Sequence, residues 1–334
     1  MTRNKVDDKL LHWDEIKNQK WPALLLGNGF SVNIWQDFNY HSLYDLAKSD
    51  EIDFPLIESA IELFEKKDTT NFENILNLLL GALLANDVIE GGQDKKLKRL
   101  YRKVQKALIS TVQGSHVPSD TINTEYISEE FSKYKTIFTT NYDLIPYWSI
   151  MNHNTNKFRD YFWNTNNSFD PENTDLWTNC TRILYLHGAL HILEEIDGGN
   201  SWKNTANESN LLEQFPDTFN STYRPLFITE GDSREKLSKI YGSDYLRFSY
   251  HELLNHNKPI VILGHSLEPD FDQHLIDAIS EWGKRRVAIS VWPEMESHDI
   301  IQFKARINKH LKMHNLSFFD STTHPLGSTE LTVG

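Results

Sequence analysis

A chain of 334 residues is long enough for one large domain or two ordinary ones, and 39% hydrophobic with 24% charged residues is the composition of a soluble globular protein with a real core. Its 34 Lys and Arg against 47 Asp and Glu leave a formal charge of -13. That balance repels nucleic-acid backbones and anionic membranes on average, so no direct nucleic-acid binding is expected and a phosphodiester partner is left only a local patch. The single cysteine, Cys180, excludes an intrachain disulfide framework and a multi-thiolate zinc site.

In chain order, residues 1–20 read as a polar arm with an amphipathic turn around Leu10, Leu11 and Trp13, and no apolar leader or membrane-length run is present, which predicts a cytoplasmic protein without a membrane partner. The run WPALLL (21–26) ends in Gly27-Asn28-Gly29, which favours a short buried strand, and Ser31 is placed to cap a following helix. Residues of about 55–115 read as a helical insertion. Within it Thr70-Asn71-Phe72-Glu73 has the capping-box form, and Phe72, Ile75, Leu76, Leu79, Leu80, Leu83 and Leu84 follow at helical spacing. A second periodic set, Leu97, Leu100, Val104 and Leu108, lies in a Lys-rich helix. Both stripes read as packing faces.

Beyond the insertion, strands are predicted near 135–139, 182–186, 226–229, 259–263, 287–291 and 317–319, with helices near 144–151, 234–240, 246–254, 271–282 and 299–314. Strands alternating with helices predict an α/β fold, a Rossmann-like doubly wound parallel sheet spanning residues 21–320. The Asn-, Asp- and Thr-rich stretches 153–179 and 194–220 read as long loops. The tail, 321–334, has little core-forming content and reads as disordered or held by a partner.

In a doubly wound sheet, ligands sit at the carboxyl ends of the strands. Five predicted ends are polar or glycine-rich: Gly27-Asn28-Gly29-Phe30-Ser31, Thr140-Asn141-Tyr142-Asp143, His187-Gly188, Thr229-Glu230-Gly231 and Gly264-His265-Ser266. Glycines allow close approach of backbone to a ligand, a hydroxyl suits a phosphate or ribose oxygen, and His187 is placed to project into the same crevice. Taken singly, GNGFS and GHS fit an ordinary tight turn equally well. His187 alone fits a structural histidine, with His191 as its rival. No compact carboxylate cluster stands at metal-binding spacing, and His251, His256, His265 and His274 read as scatter on helices and a turn, so no metal is expected.

GNGFS, FTTNYD, LHG and GHSLEPD, in that order, resemble the sirtuin NAD-binding fold, and more closely its bacterial sirtuin-like branch found in anti-phage defence. The corresponding sirtuin signatures are a Gly-Ala-Gly-x-Ser loop, a Thr-Gln-Asn-Ile-Asp segment, a His-Gly pair and a Gly-Thr-Ser-Leu turn. The resemblance spans residues 22 to about 292. It implies that Gly27, Gly29 and Ser31 cradle the pyrophosphate and that Asn141 holds the nicotinamide ribose and the attacking water. It further implies that Asp143 binds the carboxamide, that His187 is the general base, and that Gly264 and Ser266 line the adenosine side. Asn28, Phe30, Thr140, Tyr142 and His265 complete the cofactor-contacting set.

Sirtuin deacetylases carry a four-cysteine zinc module after the His-Gly pair, where this chain reads ALHILEEIDGGNSWKN. Where sirtuins have a Pro-Asp-Phe-Arg element after the glycine loop, Asp37-Phe38-Asn39 matches only loosely and lacks the arginine. Deacetylation is therefore not the expected activity. The resemblance implies instead a NAD+ hydrolase that consumes NAD+ as substrate and acts as a gated effector of abortive infection. It also implies a homo-oligomer or a separate subunit such as a HerA-type ring ATPase. A non-catalytic NAD or ADP-ribose sensor, or an ADP-ribosyltransferase or cyclase, would use the same residues.

Overall fold

The computed structural model describes residues 6–38, 43–151, 155–172, 180–195, 199–205, 211–214, 223–228 and 231–333. Among these residues the strands are β1 (Ala23–Leu26), β2 (Thr136–Thr139), β3 (Phe158–Arg159), β4 (Thr181–Tyr185), β5 (Gly188–Glu195), β6 (Ser201–Lys203), β7 (Tyr223–Phe227), β8 (Ile260–Leu263), β9 (Arg286–Val291) and β10 (Asn315–Asp320). Seven of them form one sheet in the order β10-β9-β8-β1-β2-β4-β3, and every neighbouring pair is parallel. The α/β, Rossmann-like architecture expected from the sequence is the one observed. Helices cover both faces, so ALLL of β1, TIFT of β2 and IVIL of β8 are buried along their whole length, as central parallel strands must be.

The crossover from β1 to β2 carries the helices Glu58–Lys67, Phe72–Val88 and Asp94–Ser115. The long helix begins at Phe72, two residues beyond the threonine of the proposed capping box, and Asn71 rather than Thr70 precedes it. Phe72, Ile75, Leu76 and Leu79 are buried, as their spacing predicts, but Leu84 of the same stripe is 68% exposed, so the packing face ends before the last turn of the helix.

Several expectations are corrected. The strand predicted at 226–229 is not part of the parallel sheet. It is observed as β7, antiparallel to β5 in a separate three-stranded sheet ordered β6-β5-β7. The fifth strand end therefore does not belong with the other four, and Thr229 and Glu230 lie outside the described residues. The stretches predicted as long loops contain β3, β6 and the short helix Leu211–Gln214, with their remaining parts only partly described.

Residues 321–333 do not behave as a polar tail. Three 3-10 turns bury Leu326, Leu331 and His324. The His324 ring packs 4.5 Å from that of Trp13, and its Nε2 pairs with the Tyr134 hydroxyl at 3.0 Å. Asn33 Nδ2 donates to the Ser328 carbonyl at 2.9 Å, and Thr332 Oγ1 donates to the Asn33 carbonyl at 2.8 Å. The segment is thus stapled to the helix Asn28–Ile34 that follows β1. Few apolar residues suffice here because backbone and hydroxyl groups find partners in that helix. No helix of the described residues is long and apolar enough to cross a membrane.

Candidate functional site

The chain runs outward from β1 in both directions, to β2, β4 and β3 on one side and to β8, β9 and β10 on the other. This reversal is the topological switch point at which open parallel sheets bind ligands. Register places the sequence-predicted residues in one row there. Leu263, Leu26, Thr139 and Tyr185 are paired across β8, β1, β2 and β4, so His265, Asn28, Asn141 and His187 each stand two residues past a paired position. With neighbouring strands about 4.8 Å apart, the row forms one short shelf.

On the β8 side of the shelf lies a cavity of about 750 Å³, lined by Gly29, Phe30, Gly264, His265 and Ser266 and walled by Ser290, Trp292, Arg306, Gly327 and Thr329. The two glycine turns interlock. Gly27 N–H donates to the Leu263 carbonyl at 2.9 Å and Gly29 N–H to the Gly264 carbonyl at 2.8 Å. Gly264 has φ +69°, and a Cβ there would stand 2.4 Å from the Phe30 nitrogen. Both turns need glycine because their backbones touch, and the Gly27 and Gly29 amides are already committed to the β8 turn. Arg306, which the sequence reading missed, is the guanidinium of the cavity wall. It pairs with Glu268 and donates through Nη2 to the Ser266 carbonyl at 2.8 Å, and burial lowers its pKa.

Asn141 and Asp143 are nearly inaccessible, at 4% and 3% exposure, and they meet through Ser31. Ser31 does not cap a helix; it lies inside Asn28–Ile34, and its hydroxyl donates to Asp143 Oδ2 at 2.6 Å. Having given its one proton to the carboxylate, that oxygen accepts from Asn141 Nδ2 at 2.8 Å. The amide is thereby oriented, and Asn141 Oδ1 is left buried without a hydrogen-bond partner. Such an orphaned acceptor costs about 1–3 kcal/mol. Burial raises Asp143 to about 6 despite the hydrogen bonds from Ser31 and the Ile145 amide. His116 accepts from the Leu144 amide through Nε2 at 3.0 Å and packs edge-on to Phe38, so Phe38 lies against the support of this loop. Thr140 Oγ1 donates to the Leu26 carbonyl, Tyr142 stacks on Phe227, and Asn28 Nδ2 donates to the Phe38 carbonyl.

His187 stands between β4 and β5 with its Nε2 3.0 Å from His274 Nε2, and His274 Nδ1 lies 2.9 Å from Ser233 Oγ. Two imidazole nitrogens at that distance share one proton. Burial, with Lys236 and His274 beside it, holds His187 well below the ordinary histidine range, and burial brings His274 to about 4. Both rings are neutral near pH 7. The reading of His265 and His274 as scatter is therefore corrected: His265 belongs to the cavity lining, and His274 is the partner of His187. Sequence spacing hides this, because Asp272 and His274 at i and i+2 face opposite sides of a regular helix. Asp272 has non-helical angles (φ -135°, ψ 22°) within Pro269–Ser280, which lets the two side chains converge. Ligand atoms of His187, Asp272 and His274 lie within 4.8 Å of one another, an arrangement able to hold a metal, but the Lys236 ammonium 3.4 Å from Asp272 Oδ1 opposes a further cation. His191 sits elsewhere, on β5, between Tyr147 and Tyr185.

The fold and shelf define an α/β protein with a ligand cavity at the switch point of a parallel sheet. The chain belongs to the family described as domain of unknown function (DUF4917), whose profile matches residues 24–326. No curated protein matches it. Solved structures similar to it include Sir2Tm bound to a propionylated peptide, at 10% identity and TM-score 0.38, covering 91% of this chain and 100% of that one. A Sir2 bound to an acetylated peptide is similar at 11% identity and TM-score 0.35, covering 91% and 100%. A Sir2 homologue mutant in complex with ADP-ribose is similar at 11% identity and TM-score 0.33, covering 94% and 99%.

Proposed function

We propose that the protein is a NAD+ hydrolase that cleaves the nicotinamide–ribose bond with water. The observation that carries the reading is the shelf itself. An oriented amide with an unsatisfied buried oxygen stands in register beside a neutral histidine, in the same row of strand ends whose β8 side, at Gly264-His265-Ser266, lines a cavity of nucleotide size. The motif resemblance supplies the substrate class. Asn141 Oδ1 accepts from a ribose hydroxyl or the attacking water, which removes its desolvation cost on binding. Gly264 and Ser266 line the adenosine half, Arg306 faces the phosphates, and Asp143 holds the carboxamide.

Nicotinamide leaves as a neutral molecule carrying the electron pair of the broken C–N bond, so no acid is needed, and the ribose carbon passes through an oxocarbenium-like state. Water adds to that carbon and gives its proton to His187. His187 Nε2 shares its proton with His274 Nε2; in the tautomer that places this proton on His187, Nδ1 keeps its lone pair for the water, and no described residue bonds it. Activity is gated, as expected of a defence effector, by self-assembly or by a separate subunit such as a HerA-type ring ATPase.

Incubation with NAD+, with and without candidate activators, followed by mass analysis of products, tests the reading. Nicotinamide with ADP-ribose in equal amounts is the expected result. Tight NAD+ binding with no nicotinamide under any activating condition would assign a sensor instead, and ADP-ribose attached to protein or in cyclic form would assign a transferase or cyclase. Dialysis against a chelator is expected to leave turnover unchanged, because Lys236 already neutralises Asp272. A loss restored by a divalent ion would give His187, Asp272 and His274 to a metal and remove the base role.

A further inference from the structure

The helix Asp94–Ser115 presents Lys95, Lys98, Arg99, Arg102, Lys103 and Lys106 along one groove of about 370 Å³. Their spacing, i, i+3, i+4, i+7, i+8 and i+11, is that of a single helical face, and all six are exposed. The opposite face buries Val104, Ala107 and Leu108. From Lys95 to Lys106, seven of twelve residues are Lys or Arg and none is Asp or Glu, in a chain where acids outnumber bases 47 to 34. A solvated helix face is ordinarily of mixed sign, with acids placed to pair with bases one turn away. Here none of the six makes an ion pair among the described residues, and the recorded contact of the set is Lys106 over the Phe54 ring at 5.3 Å. The face therefore carries uncompensated like-charge repulsion between successive turns, which an anionic partner would relieve.

We infer that this face binds the phosphate backbone of a nucleic acid, without reading its bases. Protein–protein interfaces centre on aromatic and apolar anchors and are depleted in lysine, whereas nucleic-acid interfaces are strongly positive. The groove is lined by cations alone, four of the six being lysine. From position 95 to 106 the face extends about 16 Å at the helical rise, close to five phosphate steps of one strand. The net charge of -13 does not forbid this. At physiological ionic strength, screening over about 8 Å removes the influence of distant acids, and this is the local patch that the overall balance left open. The inference concerns a different element from the shelf and stands apart from the NAD+ reading.

The test is fluorescence anisotropy of the whole chain with labelled duplex and single-stranded DNA and RNA of about 20 nucleotides, between about 50 and 200 mM salt. If all six cations engage duplex phosphates, the logarithm of affinity falls with that of salt at a slope of about -5, a loss of about 10³-fold across the range, with a shallower slope near -4 for single strands. Lys98→Gln, Arg102→Gln and Lys106→Gln together are expected to reduce the slope by about 3. The exposed positions leave the melting temperature unchanged, and Lys309→Gln serves as a control that changes neither. Absence of binding at the lowest salt, or an unaltered slope in the triple variant, overturns the inference. So does binding to phosphatidylserine vesicles but not to nucleic acid, or self-association lost in the triple variant without any nucleic-acid binding.

Discussion

Asn141→Ala is expected to lower nicotinamide release by about 10²-fold or more while leaving the protein as stable as the parent or slightly more so. The two effects separate because the substitution removes a buried acceptor that has no partner in the folded protein, which offsets the loss of the Nδ2 hydrogen bond to Ser31. A residue held for structure would lose stability on truncation; one held for a ligand need not. His187→Ala should cost more activity, about 10²–10⁴-fold, the usual worth of a general base. It should also lose about 1–3 kcal/mol of stability, because His274 Nε2 is left buried without its partner. Initial rates of nicotinamide release and urea midpoints on the same preparations check both. Near-parental turnover in either variant would return the shelf to a purely structural role. His274→Ala, which removes only the support of the base, should instead shift the acid limb of the rate profile while retaining part of the rate.

The protein is also expected to be acid-labile. Burial brings His116 and His274 to about 4 and His324 to about 3. All three lie below the ordinary value near 6.5, so the unfolded chain binds more protons than the native one between roughly pH 4 and 6.5. Stability therefore rises with pH through that window, is complete above it, and is lost as pH falls toward 4. Each histidine contributes about 3 kcal/mol over the full window, and the three together reach about 10 kcal/mol, comparable with the whole stability of an ordinary domain. Asp143 works in the opposite sense. Raised to about 6, it favours the native state below that pH and offsets the equivalent of about one histidine. Urea midpoints should fall steeply from pH 7 to 5, and a flat profile over that interval would show that the buried rings do not govern acid stability.

The parallel sheet was legible because its central strands are buried on both faces, so WPALLL, the run into FTT, and PIVIL stand out as unbroken apolar stretches. The second sheet was not. GALHILEE of β5 carries two glutamates and a histidine, and Arg224 satisfies Glu194 across the sheet, a pairing that only tertiary structure reveals. The row of strand-end residues was legible from residue type and position. Its wiring was hidden for a different reason in each case. Ser31 looked like a cap because serine before a helix usually is one, whereas its hydroxyl bonds Asn141 and Asp143, 110 and 112 residues away in the loop after β2. His274 required a helix to depart from regular geometry at Asp272, and periodicity assumes that it does not.

One wall of the cavity is built from Ser321, Gly327, Thr329 and Thr332, the stretch stapled to the helix after β1. During synthesis this wall emerges after every strand of the parallel sheet, so a chain halted near residue 320 would possess the shelf of Asn28, Asn141, His187 and His265 but only part of the cavity wall. Completion of the pocket is thereby tied to translation having passed residue 332, and a prematurely released fragment should bind the proposed nucleotide poorly even where its sheet has formed.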